Sequence, residues 1–346
     1  TNNVGGDMAL LDSKLTVELD IWDRKTTDML LQVPITFTNG DATAPAINIG
    51  GVTNTGYDLI VGYADRKGDF GYSFSANISG YTNEVDALDN PDSRIYGYGS
   101  RVPSMTVTQQ GEEISSFFGF NTLGIFQSQS EADSWAPYGT YNSPGKFKIE
   151  DTNSDGQIND SDRGIIGSPH ADYTYGLNLN LDYKNWSLNV FANGSQGNEI
   201  FNYVRFFADF NSFQGNRSTR ALRDAWQPSN PSAPKSAWTA ANPNATSPIM
   251  DANDQTSSRV STYLIEDGSY LRIKNIQLTY NFDDTINSLL GIAGGNVYLQ
   301  AQNMITITDY SGLNPEIQTG ADTTMGFDGG YMPVSKTVIV GLNINL

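Results

Sequence analysis

The stretch YTYGLNLNLDY, residues 173 to 183, alternates without a break. Tyr173, Tyr175, Leu177, Leu179, Leu181 and Tyr183 fall on one side of an extended chain, and Thr174, Gly176, Asn178, Asn180 and Asp182 on the other, because successive strand side chains point to opposite faces. A helix would scatter both sets around its circumference, so the pattern demands a strand with one apolar and one polar face. The final residues repeat it: Val338, Val340, Leu342, Ile344 and Leu346 oppose Thr337, Ile339, Gly341, Asn343 and Asn345, with Ile339 the one exception. Similar stripes run through Leu15 to Ile21, Tyr57 to Tyr63, Phe70 to Ile78 and Val297 to Ala301. Between Lys274 and Asn275 the phase slips from Leu271 and Ile273 to Ile276, Leu278 and Tyr280, which predicts a β-bulge.

The connections carry a second rhythm. DSK at 12 to 14, RKG at 66 to 68 and KN at 184 to 185 are hairpin-sized, whereas 26 to 50, 86 to 172, 196 to 269 and 308 to 335 are long. Short and long alternate, and only 283 to 295 is longer than its place in the series requires. Tight turns at one end of a sheet and large loops at the other are the pattern of an outer-membrane barrel. Aromatic residues bracket the tight turns, as an interfacial girdle would: Tyr63 and Phe70, Tyr183 and Trp186, Tyr280 and Phe282. The competing architecture is a secreted β-sandwich, since alternation alone says only that one face is wet. Polar faces rich in Asn, Thr, Ser and Gly, strands of membrane-crossing length and loops of this size favour the barrel. The expectation is an all-β chain: an antiparallel transmembrane β-barrel portion of about nine strands, short of closure because bacterial barrels have an even strand number.

Composition narrows the functions available. The 346 residues include 18 Tyr, 16 Phe and 5 Trp, too aromatic for a disordered chain, and the net charge of −18 repels nucleic acid. There is no cysteine, and the single histidine, His170, sits in the loop-like GSPHAD. The carboxylate pairs Glu112/Glu113 and Asp283/Asp284 are chain neighbours and give no sign of a facing glycosidase pair, so no enzymatic function is expected. No run of eighteen apolar residues offers a helical membrane span.

One loop carries a chemical pattern. DTNSDGQINDSD, 151 to 162, places Asp151, Asn153 and Asp155 at positions 1, 3 and 5, Gly156 at 6, the Gln157 carbonyl at 7, Asn159 at 9 and Asp162 at 12. That is the EF-hand order with Asp in place of the last Glu, and it predicts a structural Ca²⁺ site on Asp151, Asn153, Asp155, Gln157 and Asp162. The opposing reading is a loop held by its own Asx turns. A dockerin would need a second such loop, and DANDQT at 251 lacks the glycine and most ligands. Trp135, Tyr138, Tyr141, Trp226 and Trp238 lie in long loops and are candidates to stack on a sugar or a hydrophobic peptide side chain, against the alternative of loop-core packing. STRALRDAW, 218 to 226, reads as a short helix capped by Ser218.

Longer phrases carry a resemblance. ISSFFGFNTLGIFQS (114 to 128), the run from DTNSDGQ to GNEIFN (151 to 202), EDGSYLRIKNIQLTYNF (266 to 282) and NVYLQAQNMITITDYSGLNPEI (296 to 317) resemble the SusC/RagA-like TonB-dependent transporters of Bacteroidetes outer membranes. KLTVELDIWDRKTTDMLLQVP and NTGYDLIVGYADRKGDFGYSFSANIS extend the likeness to nearly the whole chain. VIVGLNINL resembles the family's terminal barrel-assembly strand, with Leu346 where Phe is more usual. The resemblance implies a 22-strand plugged barrel of which this chain holds the C-terminal part, the plug and the N-terminal TonB-contacting segment lying outside it. It further implies import of oligosaccharides, or alternatively oligopeptides, through the outer membrane with a SusD-like surface lipoprotein, the long loops facing outward and the C-terminus the periplasm. The alternative function is that of a secreted carbohydrate-binding or adhesin sandwich with a dockerin-like calcium loop.

Overall fold

The computed structural model describes residues 1–32, 46–99, 101–210, 216–254, 256–317 and 321–346, and the intervening positions all fall within the four long connections expected from sequence. Nine strands form one sheet in chain order: β1 (Asn2–Leu10), β2 (Leu15–Gln32), β3 (Ala46–Lys67), β4 (Phe70–Ala87), β5 (Tyr173–Tyr183), β6 (Trp186–Gln196), β7 (Tyr270–Asn281), β8 (Gly294–Thr308) and β9 (Thr337–Asn345). Each is antiparallel to the one before, so successive connections leave from opposite ends, and the alternation of short and long becomes a tight-turn end and a loop end. Among the described residues β1 and β9 are the two edges and do not pair with each other.

The register explains the alternation. Phe74 on β4 pairs with Leu179, Leu179 with Val190, Val190 with Ile276, Ile276 with Ala301 and Ala301 with Val338, an apolar row across six strands. On the opposite face Ser73 pairs with Asn180, Asn180 with Asn189, Asn189 with Gln277 and Gln277 with Gln300. The apolar row is not covered by protein: Phe74 is 41% and Val338 61% exposed. In a sandwich a second sheet would cover it, so the sandwich alternative fails; an apolar outer face with a polar inner one suits a barrel wall in lipid.

The expected bulge is present. Adjacent Phe191 and Ala192 on β6 pair with Asn275 and Ile273 on β7, leaving Lys274 as the extra residue. One connection differs from its expected bounds. β2 and β3 pair beyond 26 and 50, out to Gln32 and Ala46. Irregularities around Met29, beside Asp28 with its φ of 56°, break the alternation there and hide the extended hairpin from a period-two reading.

The main buried core lies in the connections, with only a few buried apolar residues such as Val52, Val85 and Ala192 on the sheet. Phe117, Phe120, Phe147, Phe201, Trp226 and Leu264 belong to one cluster drawn from residues 102 to 264, that is, from the β4–β5 and β6–β7 connections. These connections contain α1 (Gln129–Asp133), α2 (Tyr203–Ala208) and α3 (Thr219–Asp224), while α4 (Asp284–Leu290) lies at the tight-turn end. The expected helix is α3, with the Ser218 hydroxyl accepting the Ala221 N–H at 2.9 Å. Phe201 and Asn202 pair with Phe327 and Asp328, which ties the β8–β9 connection into the same cap.

Leu179→Arg places a charge on the outward row near mid-sheet and is expected to cost about 2–4 kcal/mol in a lipid bilayer. Asn178→Arg, on the opposite face, costs much less; unfolding titrations of both variants in lipid vesicles check the difference.

Candidate functional site: a polar inner wall joined to a loop cap

Side chains of the inner face are bonded across strands. Asn180 on β5 donates to Ser73 on β4 at 3.1 Å. Asn189 on β6 donates to both Asn178 and Asn180, at 3.0 and 2.7 Å. Asn275 on β7 donates to Asn189 at 3.1 Å, and Gln300 on β8 donates to Asn275 at 2.7 Å. The result is a continuous track of amides and a hydroxyl across five neighbouring strands, all half-buried and none ionised. Such a surface offers donors and acceptors to a neutral polar solute without the desolvation cost of a buried charge. It also holds the inner side chains in one arrangement, since each amide is fixed by its neighbours.

Toward the loop end the inner wall carries charge. Arg272, 2% exposed, spends Nε on Thr306 at 2.9 Å, Nη2 on Asn314 at 2.7 Å and Nη1 on Glu316 at 2.6 Å. Lys274 reaches the same Glu316 carboxylate at 2.6 Å. The extra residue of the bulge is that lysine, so the irregularity brings a second cation to the carboxylate. Segment 309–317 is gripped elsewhere too. Glu266 accepts from the Ser311 N–H and hydroxyl, each at 2.9 Å, and the Tyr310 hydroxyl donates to Asp328 at 2.6 Å.

Glu266 belongs to a buried junction beneath α2 and α3. Asp209, 1% exposed, accepts from Ser218 at 2.6 Å and Tyr263 at 2.9 Å and pairs with Arg220 at 2.8 Å and Arg205 at 3.3 Å. Burial alone would raise its pKa, but the Ser218 bond, the Arg220 charge and the Tyr263 bond outweigh it and hold the carboxyl below the ordinary aspartate range. Arg205 also reaches Glu266 at 3.2 Å, and Arg220 donates to Ser311 at 2.7 Å. The long-range partners were not visible in sequence, because Tyr263 lies 54 residues from Asp209 and Glu316 lies 44 from Arg272; the local sign at the wall was two cations in an otherwise uncharged strand, LRIKN.

The five loop aromatics mostly serve the cap. Trp226 is 1% exposed, and its indole donates to Gln127 at 3.3 Å. Tyr141 turns its hydroxyl inward, 2.8 Å from Ser257 and accepting the Phe147 N–H at 2.9 Å, and burial pushes its pKa up. Trp226 belongs to the buried core of the loops and Tyr141, half-buried, packs against it, because loops of this size need an apolar centre of their own. Trp135, Tyr138 and Trp238 are half-buried: the Trp135 indole donates to the Ile149 carbonyl at 2.7 Å, Trp238 donates to the Ala233 carbonyl at 2.9 Å, and Tyr138 packs on Phe120 and bonds Arg259.

Loop 151–162 has the expected turn, with Gly156 at φ 84° and Ile158 buried as its apolar anchor. Its side chains close on its own backbone. Asp151 accepts from the N–H groups of Asp155 at 3.2 Å and Gly156 at 2.9 Å; Asn153 accepts from Asp155 and Asp155 from Gln157, each at 2.9 Å. Asp162, 1% exposed, takes the Thr152 and Asn159 N–H groups at 3.0 and 2.8 Å. Among the described residues no group of three or more His, Asp or Glu side chains is placed to share a metal ion. Asp151, Asn153 and Asp155 sit together on the open side of the turn and suit a hard cation, whereas Asp162 would have to leave its backbone partners to join them. His170 is likewise a packing residue: its ring nitrogens face the Tyr81 hydroxyl at 3.2 Å and the Ile114 carbonyl at 2.9 Å.

No family model matches the chain. It is 30% identical over 352 residues to TonB-dependent receptor P3 of Formosa agariphila, an alignment covering 99% of this chain and 33% of that protein. It is 29% identical over 350 residues to TonB-dependent receptor SusC of Bacteroides thetaiotaomicron, covering 99% of this chain and 31% of that one. The chain thus spans about a third of the length of the curated relatives it matches. Among solved structures, the RagAB peptide transporter superposes with a TM-score of 0.77 at 23% identity, over 99% of this chain and 34% of that one. The RagAB peptide importer in its closed-closed state gives 0.74 at 23% identity, over 99% and 35%. The nine-strand sheet is therefore part of an antiparallel transmembrane β-barrel.

Two outcomes follow from the junctions. Arg272→Met leaves Glu316 and Asn314 without their buried partner and is expected to cost about 3 kcal/mol, with faster hydrogen exchange confined to segment 309–317. Because the folded Asp209 carboxyl is depressed, its contribution is fully present above the ordinary aspartate pKa and lost as pH falls through the lower folded value. The cap is therefore expected to loosen below about pH 4, reported by Trp226 fluorescence, and Asp209→Asn to loosen it already at neutral pH and flatten that dependence.

Proposed function

Since the chain resembles SusC/RagA-like TonB-dependent receptors over 99% of its length, we propose that it forms the C-terminal wall and much of the loop cap of an outer-membrane importer of oligosaccharides. The observation that carries this reading is the uncharged amide track from Ser73 to Gln300, set behind an outward apolar row. Hydroxyl-rich neutral solutes exchange hydrogen bonds with such a wall at little cost. In this reading the long loops face outward and meet a SusD-like lipoprotein, the C-terminus faces the periplasm, and TonB supplies energy through parts of the receptor beyond this chain. The chain catalyses nothing itself. Oligopeptides are the second candidate cargo. Peptide transport by the RagAB neighbours favours them, as does the burial of Trp226, which removes one sugar-stacking face.

Deleting the gene is expected to abolish growth on an oligosaccharide as sole carbon source while growth on its monosaccharide continues. A defect seen only under peptide-limited growth assigns the peptide cargo, and no defect on either class contradicts nutrient import. We further propose weak Ca²⁺ binding by loop 151–162 through Asp151, Asn153, Asp155, the Gln157 carbonyl and, once it releases Thr152 and Asn159, Asp162. A dissociation constant on the order of 10⁻⁴ to 10⁻³ M is expected by calorimetry, lost in Asp151→Ala/Asp155→Ala. Absence of saturable heat in the unaltered protein would leave only the self-bonded turn.

A further inference from the structure

At the tight-turn end, where the other three connections are hairpin-sized, β7 and β8 are joined by α4. The helix is fully capped: Asp283 accepts the Ile286 N–H at 2.9 Å, and Gly291 ends it with φ 66°. A short helix capped at both ends keeps its shape, yet no residue of α4 is buried. Ile286, Leu289 and Leu290 stand at i, i+3 and i+4 and so share one face, opposite Asp284, Asn287 and Ser288. Leu289 is 84% and Leu290 55% exposed, so the apolar face has no covering among the described residues. Asn287 on the other side turns back to the barrel, its amide donating to the Phe282 carbonyl at 3.4 Å.

The neighbours of this face indicate what covers it. Asp283, the N-cap of α4, directly follows Phe282, whose ring lies over Gly295 on the outward face of β8. Phe282 is 6.5 Å from Tyr280, and Tyr280 is 4.9 Å from Trp186, ring centre to ring centre. Trp186 and Tyr183 are about half exposed, as side chains at a membrane–water boundary are. The outward row of Val297, Leu299, Leu342 and Ile344 continues from that belt. The helix carries no basic residue, so attraction to anionic headgroups is not what would hold it.

Resting on the membrane-barrel reading, we propose that α4 lies in the interfacial layer of the leaflet at the tight-turn end, with Leu289 and Leu290 inserted among the lipid chains and the helix serving as an anchor beside the aromatic belt. It fixes the height of β7 and β8 in the bilayer, the two strands that carry Arg272 and its partner Thr306 at their far ends.

The chain has no cysteine, so single probes can be placed cleanly. The full-length protein, free of other accessible cysteines, is reconstituted in nanodiscs with an environment-sensitive fluorophore on Leu289→Cys, Asp284→Cys or Leu179→Cys. The Leu289 probe is expected to emit blue-shifted relative to the Asp284 probe. Nitroxide near the top of the acyl chain should quench it more strongly than nitroxide near the chain end, with the reverse order for the Leu179 probe. If Leu289 is quenched no more than Asp284 while Leu179 is quenched, the anchor is refuted and the membrane barrel stands. If Leu179 also escapes quenching, the membrane reading falls and the anchor with it.

Discussion

Hydrocarbon offers no partner to a backbone N–H or C=O, and this single constraint organises the chain. Every membrane-crossing strand must find its hydrogen bonds on its neighbours, which forces an antiparallel meander when consecutive strands pair. The meander fixes the period of two and sends successive connections to opposite ends. It separates the apolar row from Phe74 to Val338 from the polar row opposite. The side chains then have little to do with holding the strands together and are free to suit their surroundings, lipid on one side and water on the other.

A consequence is that the fold is turned inside out relative to a soluble domain. The sheet exposes its large apolar residues, while the closely packed aromatic core is built by the connections, from Phe117 through Trp226 to Leu264. The cap also needs polar fastening, because its loops return to strands far apart in sequence. Asp209 with Arg205 and Arg220, and Arg272 with Glu316, are these fastenings. Each joins opposite charges and completes its bonding with hydroxyl or amide groups, and removing one member of such a pair costs far more than the pair contributes when complete. The wall and cap are therefore coupled most strongly where Arg272 leaves the uncharged track and meets segment 309–317.

Legibility followed sequence distance. The stripes at 173–183 and 337–346 exposed both faces, the phase slip at Lys274 located the bulge against β6, and Ser218 marked the start of α3, because each is a local signal. The hairpin out to Gln32 and Ala46 was hidden by a local irregularity near Asp28 that reverses the alternation. For Trp226 and Tyr141 the loop position was visible in sequence and the packing in or against the cap's core was not. The amide track and the Arg272 clamp join residues from separate strands and loops, so only the register reveals them. The 151–162 turn was legible as backbone geometry, since Gly156 and the Asx residues act over five positions.

One face of this sheet meets lipid and the other water. This is tested most directly by placing single cysteines at every position from 173 to 183 in cells and measuring labelling by a water-soluble, membrane-impermeant maleimide. Labelling is expected at Thr174, Gly176, Asn178, Asn180 and Asp182 and protection at Tyr175, Leu177, Leu179 and Leu181, a strict period of two. Labelling that is uniform along the strand, or strongest at the leucines, would contradict it.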